Sequence, residues 1–211
     1  MIAREILAVR ALNHLDHIEV EALPAQWHFA PERIVPGVRE AVERARARGV
    51  GSIMVAYADC GTGGLLADAC GELGVAMLPG PHCFAIYGGL EESAARSDED
   101  TATFYVTDCL ARQPDAFLWK PLGLDRHPDL REAYFGHYER VAYLAQTDDA
   151  RLEASARGIA ARLGLPLEVR RTGYGDLGAL LREGAGGTAN RRDDSRSVAA
   201  RGGLVAPGRD P

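Results

Sequence analysis

The sequence predicts a three-layer α/β fold, in which a mostly parallel sheet carries helices on both faces. Short apolar segments typical of strands alternate with amphipathic helical segments from residue 17 to residue 182, and this order is typical of parallel sheets. Glycines follow several of the predicted helices, as expected where a helix ends and the chain turns back to the sheet. A chain of 211 residues with 46% hydrophobic content can bury a core of ordinary size.

The individual elements follow from periodicity and from end signals. Residues 1–15 carry apolar side chains at helical spacing, and residues 17–23 alternate as a strand does. A helix is predicted from Pro31 to Gly49, and the apolar residues 51–58 form the second strand. The remaining predicted elements are a helix over 62–73, strands over 75–78, 101–106 and 141–146, a helix over 148–163 and a strand over 167–171.

The composition changes from Glu183 onward, where Gly, Ala, Arg and Asp dominate and large apolar residues are few. Such a segment buries too little apolar surface to offset the entropy of ordering it. The sequence therefore predicts one α/β domain over residues 1–182 and a disordered low-complexity tail over residues 183–211.

Charge and hydropathy exclude several classes of protein. The formal net charge is -6, so the chain lacks the basic surface that binds nucleic acid or anionic lipid. No apolar run reaches the roughly 18 residues needed to span a membrane, and the first residues lack the basic region and cleavage site of a secretory signal. We expect a cytoplasmic protein, in which the four cysteines are thiols or metal ligands rather than disulfides.

The segment DCGTGG, residues 59–64, follows the second predicted strand. Glycines at this position let the chain turn tightly and direct backbone N–H groups at a small anion. The segment therefore predicts a site for a small anionic ligand or cofactor, formed by Asp59, Gly61, Thr62, Gly63 and Gly64. No lysine follows and the G-x-G-x-x-G spacing is absent, so the fold is Rossmann-like without a P-loop or the classical dinucleotide site.

Cys60 lies inside this turn, just before the next predicted helix. A helix N-terminus lowers the pKa of a thiol, so Cys60 is a candidate nucleophile or metal-binding thiolate. The alternative is a plain strand-to-helix turn that contains a small buried cysteine.

His82 and Cys83 follow the third predicted strand in the segment GPHC. The carboxyl ends of parallel strands lie at one edge of a sheet, where ligands of such folds bind. If the second and third strands are neighbours, Cys60, His82 and Cys83 converge and offer the sulfur and nitrogen ligands that zinc or an iron–sulfur cluster takes. A core cysteine beside a hydrogen-bonded histidine is the alternative.

Three further residues are candidates for catalysis or binding. Lys120 is the only lysine, and hence the only side chain able to form a Schiff base. His127 can act as a ligand or a base, although a capped helix start with solvated charges also explains its surroundings. Tyr174 lies in a glycine turn after the last strand and is expected to close the site from the other side. Residues 146–149 are assigned to capping of the following helix.

Several motifs occur in order along the chain: YADCGTGG, GPHC followed by Phe84, FYVTD, KPLGLDRHPDLR, YFGHY, YLAQTDD and TGYGDL. Together, from about Ala3 to Leu181, they resemble the bacterial and archaeal domain-of-unknown-function family numbered 1638. The resemblance implies that Cys60, His82 and Cys83 lie at the family's candidate site. It also implies a setting in one-carbon metabolism, because members are often encoded beside corrinoid proteins and methyltransferases.

The chain departs from this family at its beginning. Members usually start further upstream, with a strand and a Cys-Gly segment before the first helix, whereas this chain starts directly on the helix. The resemblance therefore implies a gap or an unpaired edge in the sheet, together with the loss of one family cysteine.

These observations lead to one functional hypothesis with two alternatives. The first is a metal- or cofactor-binding protein of corrinoid-linked methyl transfer, with zinc or an iron–sulfur cluster at Cys60, His82 and Cys83 and the corrinoid supplied by a partner. The second is a non-catalytic accessory protein that binds a methyltransferase or a corrinoid protein. The third is a metal-free enzyme with Cys60 or Cys83 as thiolate nucleophile and His82 or His127 as base. Whether the chain is an enzyme stays open at this point.

Overall fold

The computed structural model describes residues 2–59, 61–96, 101–186 and 202–208, and it confirms the predicted α/β class. Parallel sheets are surrounded by helices. The chain divides into two compact units, the first formed by Met1–Cys83 with Asp176–Pro211 and the second by Phe84–Gly175. No helix in the described part of the chain is both long and apolar enough to cross a lipid bilayer.

In chain order, the described helices are α1 (Ala3–Leu12), α2 (Ile34–Ala47), α3 (Leu65–Leu73), α4 (Cys83–Gly88), α5 (Leu90–Ala95), α6 (Asp108–Arg112), α7 (Arg131–Phe135), α8 (Ala150–Leu163) and α9 (Leu177–Gly186). The strands are β1 (Ile18–Pro24), β2 (Ser52–Val55), β3 (Ala76–Met77), β4 (Thr103–Thr107), β5 (Arg140–Ala145), β6 (Leu167–Arg171) and β7 (Gly202–Gly208). Short 3-10 turns lie at Ala25–Phe29, Pro31–Arg33 and Pro128–Leu130, and a π-helical turn lies at Asp115–Trp119.

In the first unit, β1, β7, β2 and β3 lie side by side in this order and run parallel. Helix α2 buries Ile34, Val38 and Val42, spaced by four residues, in the core that also contains β2. A Cβ at Gly37 of the same helix would lie 2.0 Å from a ring carbon of Trp27. The glycine therefore lets the 3-10 turn after β1 pack directly on the helix backbone.

In the second unit, β4, β5 and β6 form a parallel sheet in this order. Its core joins Val141 and Tyr143 of β5 to Leu152 and Ile159 of α8. The Asp149 carboxylate accepts a hydrogen bond from the backbone N–H two residues later at 3.0 Å, which confirms the capping role predicted for this segment.

Two differences from the sequence prediction are explained by backbone conformation and burial. Helix α3 begins at Leu65 rather than at Thr62, since Gly63 and Gly64 hold positive φ values of 63° and 89° that interrupt a helix. No element was predicted between β3 and β4, where the structure contains α4 and α5. Ala85, Ile86 and Tyr87 of α4 are fully buried, so tertiary packing stabilises a helix too short for a periodic signal.

Two elements near the end of the chain were not predicted from the sequence. Helix α9 extends to Gly186, and residues 202–208 form β7 between β1 and β2. The sequence GGLVAPG has low strand propensity, so its pairing depends on neighbouring strands that are distant along the chain. Residues 187–201 and 209–211 lie outside the described residues, and the division into one domain and a tail otherwise stays a prediction.

Candidate functional site

The turn after β2 is closed by the carboxylate of Asp59. Its Oδ1 atom accepts hydrogen bonds from the Gly64 backbone N–H at 2.9 Å and from the Thr62 hydroxyl, and the Thr62 N–H donates to the Asp59 carbonyl at 3.0 Å. Gly61, Gly63 and Gly64 have φ values of 88°, 63° and 89°, which glycine adopts without strain. The described residues of the DCGTGG segment thus form one internally bonded turn before α3.

The same hydrogen bonds act on the charge of Asp59. The Thr62 hydroxyl and the Gly64 N–H both donate to the carboxylate, and they lower its pKa. The Asp59 carboxylate accepts the hydrogen bond of the Gly64 N–H, one of the groups at the helix start that were predicted to bind an anionic ligand. The Gly64 N–H is therefore already bonded within the turn, and the binding of an external anion by Asp59, Gly61, Thr62, Gly63 and Gly64 stays a prediction.

The turn gives one testable prediction about pH and stability. We expect Asp59→Ala to lower the free energy of unfolding at neutral pH by about 1 kcal/mol, because the Thr62 hydroxyl and the Gly64 N–H lose their acceptor. Because folding lowers the pKa of Asp59, this contribution is present above the unfolded pKa and is lost as the pH falls through the folded value. Denaturant titrations at neutral and strongly acidic pH measure the difference.

Asp59→Asn is the matched control for this prediction. It keeps an acceptor oxygen, so it should lose less stability at neutral pH, and it removes the titrating proton. A loss for Asp59→Ala that does not change between neutral and strongly acidic pH would contradict the role assigned to the carboxylate.

The GPHC segment lies beside this turn. Strands β2 and β3 are paired neighbours, and the pairing continues beyond them, since the Leu78 N–H donates to the Val55 carbonyl at 3.0 Å. Further along, the Asp59 N–H donates to the Gly80 carbonyl at 3.5 Å. The two segments therefore reach the same edge of the sheet, which is the condition for the predicted convergence.

His82 and Cys83 end the GPHC segment, and both are half-buried. Cys60, the third predicted ligand, lies outside the described residues. Within the part of the chain that the structure describes, no group of three or more His, Cys, Asp or Glu side chains is arranged to hold a metal ion. Two thiolates and an imidazole have the chemistry that zinc or an iron–sulfur cluster requires, and the site at Cys60, His82 and Cys83 stays a prediction.

Helix α1 adds a buried carboxylate that the sequence reasoning missed. Glu5, in the first turn, is only 4% exposed. The connection from α1 to β1 spans only residues 13–17, so the helix runs back along the strand and its N-terminus lies toward the carboxyl edge. The spacing contained the signal, because Glu5 stands three residues after Ile2 and four before Val9, on the buried face. Glu5 is therefore a further candidate for this edge.

A buried polar network joins the carboxyl ends of β4 and β5 in the second unit. Asp108 is 1% exposed, and its carboxylate accepts hydrogen bonds from the Tyr143 hydroxyl at 2.7 Å, the Gln146 N–H at 3.1 Å and the Thr147 hydroxyl at 2.5 Å. The Asp108 N–H in turn donates to Gln146 Oε1 at 2.8 Å. Burial and the bond to Asp108 raise the pKa of Tyr143, so its hydroxyl remains a donor.

This network was also missed by the sequence reasoning, which treated residues 146–149 only as a helix cap. The available signal was an aspartate directly after one apolar strand and a Gln-Thr pair directly after the next. Because the Asp108 carboxylate already accepts three hydrogen bonds, the network fixes two strand ends to each other rather than presenting an open binding site.

Tyr174 lies in the turn after β6 and is half-buried. The turn is joined to the end of β5 by the Gly173 N–H, which donates to the Ala145 carbonyl at 3.1 Å. It also packs tightly on α4, because a Cβ at Gly175 would lie 2.2 Å from the Ile86 carbonyl oxygen. Tyr174 is therefore held beside α4, and its role in closing the site stays a prediction.

Lys120 and His127 are exposed and lie toward the amino edge of the second unit's sheet. Between them, the Leu124 carbonyl accepts a hydrogen bond at 3.1 Å from Arg162, whose guanidinium also lies 4.1 Å from the Trp119 ring. Arg162 is in the last turn of α8; this helix begins beyond the carboxyl end of β5 and ends before β6. The structure thus places both residues away from the strand ends that the sequence singled out, and their catalytic roles stay predictions.

A cavity of about 490 Å³ lies between β2, β3 and α9 in the first unit. Its lining includes the apolar residues Met54, Met77, Leu78 and Leu180, together with Glu183. Among the described residues, none of those predicted for the site lines this cavity.

These features define an α/β protein of parallel sheets, with an internally bonded glycine turn and a His-Cys pair at one sheet edge. The chain belongs to the family described as "Protein of unknown function (DUF1638)", whose model matches residues 22–181. The matched range contains the DCGTGG, GPHC and TGYGDL segments. No curated protein and no solved structure matches the chain.

Proposed function

We propose that the chain is a cytoplasmic metal- or cofactor-binding protein of corrinoid-linked one-carbon metabolism. Its site lies at the carboxyl edge of the first unit, with Cys60, His82 and Cys83 as ligands. The observation that supports this proposal is the hydrogen bond from the Asp59 N–H to the Gly80 carbonyl. This bond joins two segments that come from different strands, each carrying a soft or borderline metal ligand.

Both segments are restrained, as residues that hold a ligand need to be. The bonds of Asp59 to Thr62 and Gly64 fix the glycine turn. Pro79 and Pro81 restrict the backbone just before His82. These restraints lower the entropy that ligand binding would otherwise cost.

The identity of the bound metal determines which reaction the proposed site supports. Bound zinc would keep a thiolate deprotonated and nucleophilic for methyl transfer, whereas an iron–sulfur cluster would make the protein an electron donor to a corrinoid. The one-carbon setting that the resemblance implies favours a corrinoid protein or a methyltransferase as the partner that supplies the corrinoid. Within the chain, Cys60, His82 and Cys83 would hold the group, and Glu5 is a further buried acidic side chain for the same edge.

Metal analysis of the anaerobically purified chain tests the proposal. We expect about one equivalent of zinc or of an iron–sulfur cluster per chain, the latter with visible absorption, and at least about a tenfold loss of metal in Cys83→Ser. Cys109→Ser is the matched control: this cysteine lies in α6 of the second unit, and its replacement should leave the metal content unchanged.

Less than about a tenth of an equivalent of metal in the wild-type chain would overturn the proposal. The rate of thiol alkylation then separates the alternatives. A cysteine that reacts much faster than free cysteine at neutral pH favours a metal-free thiolate enzyme. Ordinary rates at all four cysteines favour a non-catalytic accessory protein.

A further inference from the structure

Strand β7 occupies a central position in the sheet of the first unit, although it is the last strand of the chain. It pairs in parallel with β1 along its full length, Gly202–Gly208, and with β2 over residues 202–205. In the sheet order β1-β7-β2-β3, β7 separates β1 from β2. Without β7, both β1 and β2 would present unpaired backbone groups to a slot one strand wide.

The sequence of β7 is poorly suited to a central strand. Central strands of parallel sheets are usually continuous runs of Val, Ile and Leu, whereas GGLVAPG contains three glycines and a proline. Both residue types reduce strand propensity, and Pro207 has no N–H for the ladder. The paired edges of β1 and β2 therefore hold the segment more than its own propensity does.

The covalent connection to β7 is long. Residues 187–201 separate the end of α9 from the start of β7, and an extended chain of this length spans at most about 50 Å. A connection of this reach allows the same segment to enter the slot of its own molecule or the equivalent slot of another one.

We propose that the slot between β1 and β2 is a peptide-binding site that exchanges the chain's own β7 segment for the β7 segment of a second copy. The occupant is recognised through main-chain hydrogen bonds in parallel register, so an identical segment from another molecule makes identical bonds. Because β7 runs parallel to β2, its last residues lie toward the same edge as the Asp59 turn. Exchange thus brings the last residues of a second copy's β7 toward the carboxyl edge of the first unit's sheet, whether or not the candidate site binds metal.

A fluorescent peptide of residues 201–211 tests the exchange with the full-length chain. The acceptor is the Val205→Pro chain, because Val205 is paired with both Glu21 and Val55 and proline weakens this central pairing. We expect the anisotropy of the wild-type peptide to rise to saturation with added acceptor. A peptide that carries the same proline should bind at least about tenfold more weakly.

No binding of the wild-type peptide to the Val205→Pro chain, or equal binding of both peptides, would overturn the proposal. If the Val205→Pro chain fails to fold, hydrogen exchange on the wild-type chain tests whether its β7 segment is exchanged. With excess isotope-labelled peptide, the chain's own residues 202–208 should lose protection while β1 and β2 keep theirs. Unprotected β1 and β2 amides, or unchanged protection of residues 202–208, would equally overturn it.

Discussion

Replacement of Asp108 by alanine is expected to lower the free energy of unfolding by about 3–5 kcal/mol. The substitution removes the acceptor for the Tyr143 hydroxyl, the Gln146 N–H and the Thr147 hydroxyl. Asp108 is 1% exposed, so water cannot replace the carboxylate without opening the ends of β4 and β5. Denaturant titration at neutral pH measures the loss.

Graded controls separate the hydrogen bonds from the volume of the side chain. Asp108→Asn keeps the shape and one acceptor oxygen, so it should cost less than Asp108→Ala. Tyr143→Phe removes one donor and should cost about 1–2 kcal/mol. Because the two side chains interact directly, the double replacement should cost less than the sum of the two single ones. If Asp108→Ala lowered the free energy of unfolding by less than about 1 kcal/mol, this would contradict the role of the buried polar network around Asp108.

The elements that the sequence predicted best are those whose signals are local. Strand β6 lies at Leu167–Arg171, which are the residues predicted for it. Helices α3 and α8 end at Gly74 and Gly164, which hold the left-handed conformation of a glycine cap. In these segments propensity, periodicity and end signals agree, so no tertiary information was needed.

The elements that the sequence did not predict depend on tertiary contacts. Helix α4 is too short to show a helical period, and its stability comes from burial of Ala85, Ile86 and Tyr87. Strand β7 has a sequence typical of a loop, and only the paired edges of β1 and β2 make it a strand. Such contacts cannot be read from a local window of sequence.

The same distinction applies to the candidate site. The sequence predicted that DCGTGG and GPHC would meet if their strands were neighbours, and β2 and β3 are neighbours. It did not predict that Asp59 would bond to the turn's own Gly64 N–H, because that depends on side-chain direction. Glu5 and Asp108 were missed since the burial of a charged residue is a tertiary property.

Gly175→Ala is expected to lower the free energy of unfolding by about 2–5 kcal/mol, because two costs combine. Gly175 has a φ of 51°, where an L-residue is strained by about 1–2 kcal/mol. A Cβ there would also lie 2.2 Å from the Ile86 carbonyl oxygen and 2.5 Å from that of Tyr87. Both obstacles are backbone atoms of α4, so no side-chain rotation can relieve the overlap.

Gly173→Ala isolates the first cost, the conformational strain. Gly173 has a φ of 56°, and a Cβ there would meet nothing within 4 Å, so only the conformational strain of about 1–2 kcal/mol applies. The two glycines flank Tyr174 in the same turn, and the difference between the two denaturant-derived losses measures the packing of that turn on α4. Equal losses would mean that α4 moves freely away from the turn. A larger loss for Gly175→Ala, by about 1–3 kcal/mol, would show that the position of Tyr174 is set by a close backbone contact, which a side chain cannot adjust.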